Sequence, residues 1–426
     1  MARVARLRSM GVPDEAALSS FVTHLESALD GTTLPADRVQ TTHRDRPLWV
    51  RYDLDAIGRS VRRDELDGRP RSMWRYRELL PVGDDPDIVS LGETMTPLLP
   101  CPRLGEALGL KHLCVKDESV LPTGSFKARG MAMAVTMARR FGITRVAVPT
   151  AGNAGGALAA YAARARMESF VFMPRDTPAV NRYETAFYGA KTFLVDGLIS
   201  DCGRIVRDAA AELGWFDMST LREPYRLEGK KTMGLELAEQ MDWRLPDAVF
   251  YPTGGGTGLV GMWKAFDELA RLGWLETDTR PRMFSCQSTG CAPLVAAFEQ
   301  GAEFAEPAVD PHTVAAGLRV PGAVGDFMIL RAVRDSGGRA MAAEEERLLQ
   351  WMQLAARSEG IALCPEAAAC VGALGRAVAE GLVGTDERVV LFNTGAAQKY
   401  VEVLATDLPV VESGRLMDLA ALSDRQ

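Results

Sequence analysis

From Val89 onward, short apolar runs alternate with alanine-rich stretches that are long enough for helices. The apolar runs are rich in β-branched and aromatic residues, which is typical of strands buried in a sheet. Because strands and helices alternate, the pattern predicts an α/β protein whose strands are mainly parallel. The predicted strands are Thr144–Pro149, Ser169–Met173, Lys191–Val195, Ala248–Tyr251, Met283–Gln287 and Val389–Phe392.

The first 85 residues differ from the rest in composition and pattern, with many charged residues and few strand-like runs. One amphipathic helix is predicted from Asp14 to about Leu29, and a polar, arginine-rich tract continues to Arg75. We therefore expect residues 1–88 to form a helical or irregular extension, wrapped on the main body or on a partner subunit. No repeat and no low-complexity linker divides the remaining chain, so its lobes are expected to be intertwined.

Composition narrows the classes of function. The 426 residues, 47% of them apolar, suffice for two or three lobes with real cores. The net charge of −7 comes from scattered residues of both signs, which argues against nucleic acid as a partner. Seven cysteines occur without a C-x-x-C pair, as expected for reduced thiols in a cytoplasmic protein. No run approaches the roughly 18 apolar residues of a membrane span, so no membrane is expected as a partner.

The stretch Pro122–Gly130 reads PTGSFKARG and places Lys127 just after a group of turn and helix-cap residues. The residues from Ala128 to Ala138 are good helix formers, so Lys127 should lie in the first turn of a helix. The helix dipole and partial burial would lower the pKa of this amine and make it a nucleophile for carbonyl groups. The alternative is a lysine that extends from the helix end into water.

Two glycine-rich corners have the strand, loop and helix pattern of an anion site. The first, Val148–Gly156, reads VPTAGNAGG and suits a carboxylate, with Asn153 as an additional donor. An ordinary turn is the alternative for that corner. The second, Pro252–Gly258, reads PTGGGTG and lets a phosphate approach the backbone closely, because four of its residues are glycines.

Other kinds of site find little support. Residues Gly256–Gly261 satisfy G-x-G-x-x-G, but the next predicted strand ends in Gln287 rather than in the acidic residue of a dinucleotide site. No Gly-Lys-Ser/Thr follows a glycine loop, so a P-loop is excluded. The four histidines are isolated from one another and from the glycine-rich corners, so the sequence offers little support for a hydrolase triad or a histidine-rich metal site. A lysine nucleophile with phosphate and carboxylate sites suggests a Schiff base with pyridoxal 5'-phosphate.

The lysine stretch and the two glycine corners, in this order, resemble the fold type II pyridoxal-phosphate enzymes. The surrounding sequence is most similar to threonine synthases, and the likeness runs from about Val89 to Tyr400. The stretches that support it are Leu91–Leu98, Val115–Glu118, Pro224–Met233, Glu359–Gly360, Pro365–Glu366 and Asn393–Tyr400.

The resemblance implies roles for residues of this chain. Lys127 would attach the cofactor and later move protons, Asn153 would hold the cofactor's 3-hydroxyl group, and Thr394 would face the pyridine nitrogen. The cofactor-binding residues so implied are Phe126, Lys127, Asn153, Gly254, Gly255, Gly256, Thr257, Gly258 and Thr394. The residues implied to bind the substrate are Thr150, Ala151, Gly152, Ala154, Ser219, Thr220 and Arg226.

The implied activity is that of a threonine synthase acting on O-phosphohomoserine. The substrate would lose an α and a β proton, expel phosphate from its γ carbon and take up water at its β carbon. Arg226 would bind the departing phosphate, since a planar guanidinium binds phosphate through two hydrogen bonds. Ser219 and Thr220 are weaker candidates for the same phosphate.

This chain departs from the family pattern at Ala367, Ala397 and Gln398, and the departures concern the substrate more than the cofactor. A related ammonia-lyase or a β- or γ-replacement enzyme is therefore the main alternative. A nicotinamide-dependent oxidoreductase and a non-catalytic relative are further ones. The presence of Lys127 argues against the non-catalytic relative.

The resemblance also implies the arrangement of the chain. Two intertwined three-layer domains are expected: a large cofactor-binding domain of residues 89–127 and 240–426, and a small, mobile substrate-binding domain of residues 128–239. An amino-acid substrate and a homodimer are the expected partners, and no metal is expected.

Overall fold

The chain forms an α/β fold, and the computed structural model describes residues 20–82, 88–406 and 408. The strands are β1 (Val22–Ser27), β2 (Thr33–Leu34), β3 (Leu48–Tyr52), β4 (Leu98–Pro100), β5 (His112–Asp117), β6 (Arg145–Pro149), β7 (Glu168–Pro174), β8 (Lys191–Val195), β9 (Phe216–Asp217), β10 (Ala248–Pro252), β11 (Arg282–Ser288), β12 (Ala340–Ala343) and β13 (Arg388–Asn393).

Helices cover both faces of the sheets. They are α1 (Leu54–Ser60), α2 (Pro102–Leu108), α3 (Lys127–Arg140), α4 (Asn153–Ala165), α5 (Ala179–Phe187), α6 (Ile199–Leu213), α7 (Tyr225–Gln240), α8 (Thr257–Arg271), α9 (Pro293–Glu299), α10 (Asp326–Asp335), α11 (Leu348–Glu359), α12 (Pro365–Ala379) and α13 (Val401–Leu404). Within the described ranges, none of them combines the length and the apolar character needed to cross a membrane.

The predicted architecture is confirmed. All six predicted strands are present, each within one residue at either end, as β6, β7, β8, β10, β11 and β13. A six-stranded sheet has the order β12-β11-β10-β13-β5-β4 and is parallel except for β4. A four-stranded parallel sheet has the order β8-β7-β6-β9.

After β3, the chain forms β4 and β5 of the six-stranded sheet and then the whole four-stranded sheet, β6 to β9. It returns to the six-stranded sheet at β10. The two sheets are therefore intertwined in the chain, as predicted. Helix α7 packs on α8 so closely that a Cβ atom at Gly234 would lie 2.8 Å from the Cβ atom of Ala265. The boundaries of the expected small domain, residues 128–239, and its mobility stay predictions.

The N-terminal region corrects one prediction. Residues 14–19 of the helix predicted from Asp14 to Leu29 lie outside the described residues, and Val22–Ser27 forms strand β1 instead of a helix. Strand β1 pairs with β2 and β3 in an antiparallel sheet. This pairing buries every second residue at the end of β1, Leu25 and Ser27, so the apolar pattern is satisfied by a period of two.

A buried guanidinium group joins strand β5 to helices α3 and α7. Arg129 donates to Glu118, at 2.6 and 2.9 Å, and to Glu236, at 2.6 and 2.8 Å. Glu236 also accepts a hydrogen bond from Lys116 at 2.9 Å. All four side chains are fully buried. These charges satisfy one another, so removing one of them would leave the others buried without a partner.

We expect Arg129→Met to lower the free energy of unfolding by about 3–5 kcal/mol, because Glu118 and Glu236 lose a buried counter-charge. Urea-induced unfolding at neutral pH measures the change. Arg376→Met is the matched control: Arg376 pairs with Glu380 on the surface, at 2.7 Å, and should change stability by less than about 1 kcal/mol. Equal effects of the two substitutions would contradict the prediction.

Candidate active site

A single cavity of about 370 Å³ is lined by every residue predicted to bind cofactor or substrate. Its walls come from the carboxyl ends of parallel strands in both sheets, the place where α/β proteins bind ligands. Strands β10, β13 and β5 are neighbours, and the segments that follow them, up to the first turn of the next helix, carry Gly254–Gly258, Thr394 and Lys127 respectively. The loops after β6 and β9 carry Thr150–Ala154 and Ser219–Thr220.

Lys127 is the first residue of α3, as the sequence predicted. The loop before it is held by the loop after β13: Phe126 donates its amide to the carbonyl of Thr394 at 3.1 Å, and Ala396 donates to Gly124 at 2.8 Å. The Lys127 Nζ atom lies 3.7 Å from the centre of the Phe126 ring. These contacts hold the backbone before Lys127 against the loop that carries Thr394, and both residues line the cavity.

Burial, and to a lesser extent the nearby positive charge of Arg226, lower the pKa of Lys127 to about 7. The carboxylate of Glu366 acts in the opposite direction. A neutral amine is therefore well populated near pH 7 and can act as a nucleophile or as a base. The predicted lowering is confirmed, and burial is its main cause.

The glycine loop after β10 leaves room for an anion. Within the described residues, the amides of Gly254, Gly255 and Gly256 donate to no protein acceptor. A Cβ atom at Gly254 would lie 2.3 Å from the carbonyl oxygen of Gly317, and one at Gly258 would lie 1.9 Å from the Tyr251 hydroxyl. Gly256 has a φ of +73°, which favours glycine. The loop is thus restricted to glycine while its amides are free for a phosphate.

The loop after β6 and the start of α4 form the opposite wall. Gly152 donates its amide to the hydroxyl of Thr150 at 3.0 Å, and Asn153 is the first residue of α4. The Asn153 Nδ2 atom lies 3.5 Å from the Tyr400 hydroxyl. Its Oδ1 atom is buried and has no partner among the described residues. A ligand that donates a hydrogen bond at this point would satisfy it.

Arg226 lies in the first turn of α7 and is 2% exposed. Its Nη1 group donates to the carbonyl of Met218 at 2.6 Å, and its Nε group is buried without a partner in the described part of the chain. Thr220 lines the same wall. Ser219 is bound to Asp217 through its amide, at 2.8 Å, and through its hydroxyl group, which leaves it less available to a ligand.

Sequence reasoning missed several residues that line the cavity. Glu366 accepts hydrogen bonds from the Gly317 amide, at 2.7 Å, and from the Tyr400 hydroxyl, at 2.6 Å, while its second oxygen is buried and has no partner among the residues that the structure describes. Glu366 and Tyr400 lie in stretches that carry the family resemblance, so that signal could have found them. The loop 316–324 and the first turn of α6 also line the cavity, and no motif marks them.

Comparison with known proteins places this site in a family. Residues 89–395 match the model of the family described as pyridoxal-phosphate dependent enzyme. The chain belongs to the pyridoxal-phosphate dependent enzymes. The dehydrogenase alternative is thereby excluded, and the cofactor of the chain is pyridoxal 5'-phosphate.

Curated relatives of this pyridoxal-phosphate enzyme are similar over most of its length. The threonine synthase of Methanocaldococcus jannaschii is 37% identical over 353 residues, which cover 83% of this chain and 86% of the relative. The threonine synthase of Mycobacterium leprae is 35% identical and covers 80% of this chain and 92% of the relative.

Solved structures share its fold. Threonine deaminase isoform 2 of Solanum lycopersicum superposes with a TM-score of 0.62 at 18% identity, covering 79% of this chain and 90% of the other. Maize serine racemase superposes with a TM-score of 0.60 at 20% identity, covering 78% and 91%. These neighbours support the fold type II architecture of the enzyme.

The residues present fit the cofactor. The free amides of Gly254–Gly256 would hold its phosphate, the unpaired Oδ1 atom of Asn153 would accept from its 3-hydroxyl group, and the Lys127 amine would attach its aldehyde. Thr394 would offer a neutral hydroxyl group to the pyridine nitrogen, and this hydroxyl lies 3.7 Å from the Cys364 sulfur. These assignments agree with the roles implied by the sequence and stay predictions.

The pKa of Lys127 predicts how the apoenzyme captures its cofactor. Because only the neutral amine attacks an aldehyde, the capture rate should rise about tenfold per pH unit below pH 7 and level off above it. Stopped-flow absorbance with pyridoxal 5'-phosphate measures the rate. Lys127→Ala should show no capture, and Nα-acetyl-lysine in solution serves as the reference amine. A rate that keeps rising toward the ordinary lysine pKa of 10.5 would contradict the prediction.

Proposed function

We propose that the enzyme is a threonine synthase, which converts O-phosphohomoserine and water into threonine and phosphate. The similarity to threonine synthases of 37% and 38% identity over more than four fifths of the chain supports this proposal. The observation that carries it in the structure is the buried Arg226, which shares a cavity with Lys127.

A buried guanidinium with an unpaired donor calls for an anionic ligand. Its charge persists in the protein, and burying a charge without a partner is costly. The Arg226 Nε group lacks a partner among the described residues, so a phosphate on the substrate would complete its hydrogen bonds. An enzyme that expels only a hydroxyl or an amino group has no need of such a cation.

The neutral amine of Lys127 can take the α proton of the substrate, and the resulting ammonium can return it at a neighbouring carbon. The bound cofactor supplies an electron sink for the charge that develops at the α carbon. Burial and Arg226 keep the pKa of Lys127 near 7, so the group can both accept and release protons at neutral pH.

The remaining residues orient the substrate. The amides at the start of α4, together with Thr150, would bind the substrate carboxylate, because the start of a helix attracts anions. Arg226 and Thr220, which line the same cavity, would bind the phosphate. Holding both ends of the substrate fixes its α and β carbons near the amine, which is the main requirement for efficient proton transfer.

The ammonia-lyase alternative makes a different prediction, namely turnover of serine or threonine without a requirement for Arg226. The departures at Ala367, Ala397 and Gln398 do not remove any group named above: Ala367 and Ala397 are buried, and none of the three lines the cavity. A homodimer and a cytoplasmic location are part of the proposal; the first rests on the resemblance and the second on the cysteines, which form no C-x-x-C pair.

Arg226→Gln should lower kcat/KM for O-phosphohomoserine by at least about tenfold, because each lost charge-assisted hydrogen bond is worth about 1.5–3 kcal/mol. Phosphate release and threonine formation measure the loss. The slow reaction with serine should change far less. Arg204→Gln is the control, since Arg204 is an exposed arginine on α6. Equal losses on phosphorylated and unphosphorylated substrates would mark Arg226 as structural.

Lys127→Ala should abolish turnover while the protein stays folded, since the amine faces a cavity and contributes little packing. The visible absorbance of the cofactor complex should disappear together with the activity. Thermal unfolding within a few degrees of the wild type would confirm that the fold is intact. Turnover at the wild-type rate would refute the assignment of Lys127 as the proton-transfer group.

A further inference from the structure

The segment Arg222–Glu228 carries Arg226 and is held at both ends by the N-terminal sheet. At one end, Arg222 Nη1 lies 3.0 Å from the Asp45 carboxylate. At the other end, the Tyr52 hydroxyl donates to Glu228 at 2.7 Å. Asp45 precedes β3 and Tyr52 is its last residue, so one hairpin makes both contacts. We call residues 43–52 the β3 hairpin.

The Tyr52 contact is fully buried. Glu228 lies on α7 two residues after Arg226, and it also binds Lys231, at 2.8 Å, and Lys264. Lys264 in turn donates to the carbonyl of Val50 in β3 at 2.6 Å. The hairpin thus supplies a donor, the Tyr52 hydroxyl, to the charge on α7 and an acceptor, the Val50 carbonyl, to the charge on α8. Buried charges are stable only when all their partners are present.

The Asp45 contact lies at the mouth of the cavity. The turn that presents Asp45 has positive φ angles at Arg44 (49°) and Asp45 (60°), and it is closed by two hydrogen bonds between His43 and Arg46. Arg222 lines the cavity and its side chain is 20% exposed, whereas the Asp45 side chain is 89% exposed. The turn therefore adopts a strained conformation and brings a carboxylate to a cavity residue.

Between these two contacts, Arg226 has few constraints of its own. Within the described part of the chain, its side chain makes one hydrogen bond, from Nη1 to the Met218 carbonyl. Its backbone amide is capped by Glu223 at 3.0 Å, and that carboxylate belongs to the same segment. The direction of the guanidinium into the cavity consequently depends on where the segment as a whole is held.

We propose that the β3 hairpin positions Arg226 for the leaving phosphate of the substrate, with Tyr52 and Asp45 as positioning residues. The inference rests on the proposed function, since it assigns the phosphate to Arg226. It gives the N-terminal extension a part in the reaction, although none of its described residues lines the cavity. A displacement of about 1 Å in such a group is enough to lower the rate substantially.

The test uses the full-length holoenzyme with Tyr52→Phe and Asp45→Asn. Tyr52→Phe removes one hydroxyl group and keeps the ring that packs 4.1 Å from the Lys231 Nζ atom, and Asp45→Asn removes one exposed charge. Each should raise KM for O-phosphohomoserine about fivefold, with a smaller change in kcat. Inorganic phosphate should inhibit each variant about fivefold less strongly, and should protect it less against thermal unfolding.

Two control variants carry the same types of substitution, Tyr to Phe and Asp to Asn, at exposed positions. Tyr183→Phe removes an exposed hydroxyl group, and Asp386→Asn breaks the surface pair with Lys111; both should leave KM and phosphate inhibition unchanged. Variants that lose only thermal stability, with KM and phosphate inhibition as in the wild type, would overturn the inference. Failure of the wild type to release phosphate would refute the proposed function instead. Protection against thermal unfolding by inorganic phosphate requires no turnover, so it tests the positioning of Arg226 whether or not the proposed function holds.

Discussion

The ion pairs of Arg129 are the interaction on which the geometry of the site depends. Arg129 lies two residues after Lys127 and binds Glu118, next to the end of β5, and Glu236 on α7. The first turn of α3 is thereby held to the large sheet and to the helix that carries Arg226. Because all these groups are buried, any displacement of one helix would leave charges without partners. The elements that carry Lys127 and Arg226 are therefore held in place relative to each other.

The electrostatics of the cavity follow from this arrangement. Lys127 and Arg226 are both removed from water, and burial lowers the pKa of each; the charge of Arg226 also lowers the pKa of Lys127. The guanidinium starts from a much higher pKa, so the amine of Lys127 is the group that becomes neutral near pH 7. Glu366 moderates the effect and is itself held by Gly317 and Tyr400. One cavity thus contains a positively charged group that can bind an anion, Arg226, and a neutral amine that can act as a base, Lys127.

The N-terminal region shows how tertiary contacts decide a local pattern. The spacing of apolar residues around Val22–Ser27 is compatible with a helix, and only the partner strand β3 makes a strand the better solution. The same strand supplies Val50 and Tyr52 to buried charges on α7 and α8. No local pattern around Tyr52 indicates this role, since its partners Glu228 and Lys264 lie more than 170 residues away in sequence.

The sequence by itself determined the fold class, the six predicted strands and the motifs around Lys127, Asn153 and Gly254–Gly258, because apolar periodicity and glycine-rich turns are local properties. It also determined the family, through stretches that keep their order along the chain. The tertiary structure alone decided which side chains meet: parallel strands bring their carboxyl ends together, and distant residues such as Glu366, the loop 316–324 and Asp45 reach the cavity or its rim. Burial of Lys127, and with it a pKa near 7, is likewise a property of the assembled fold.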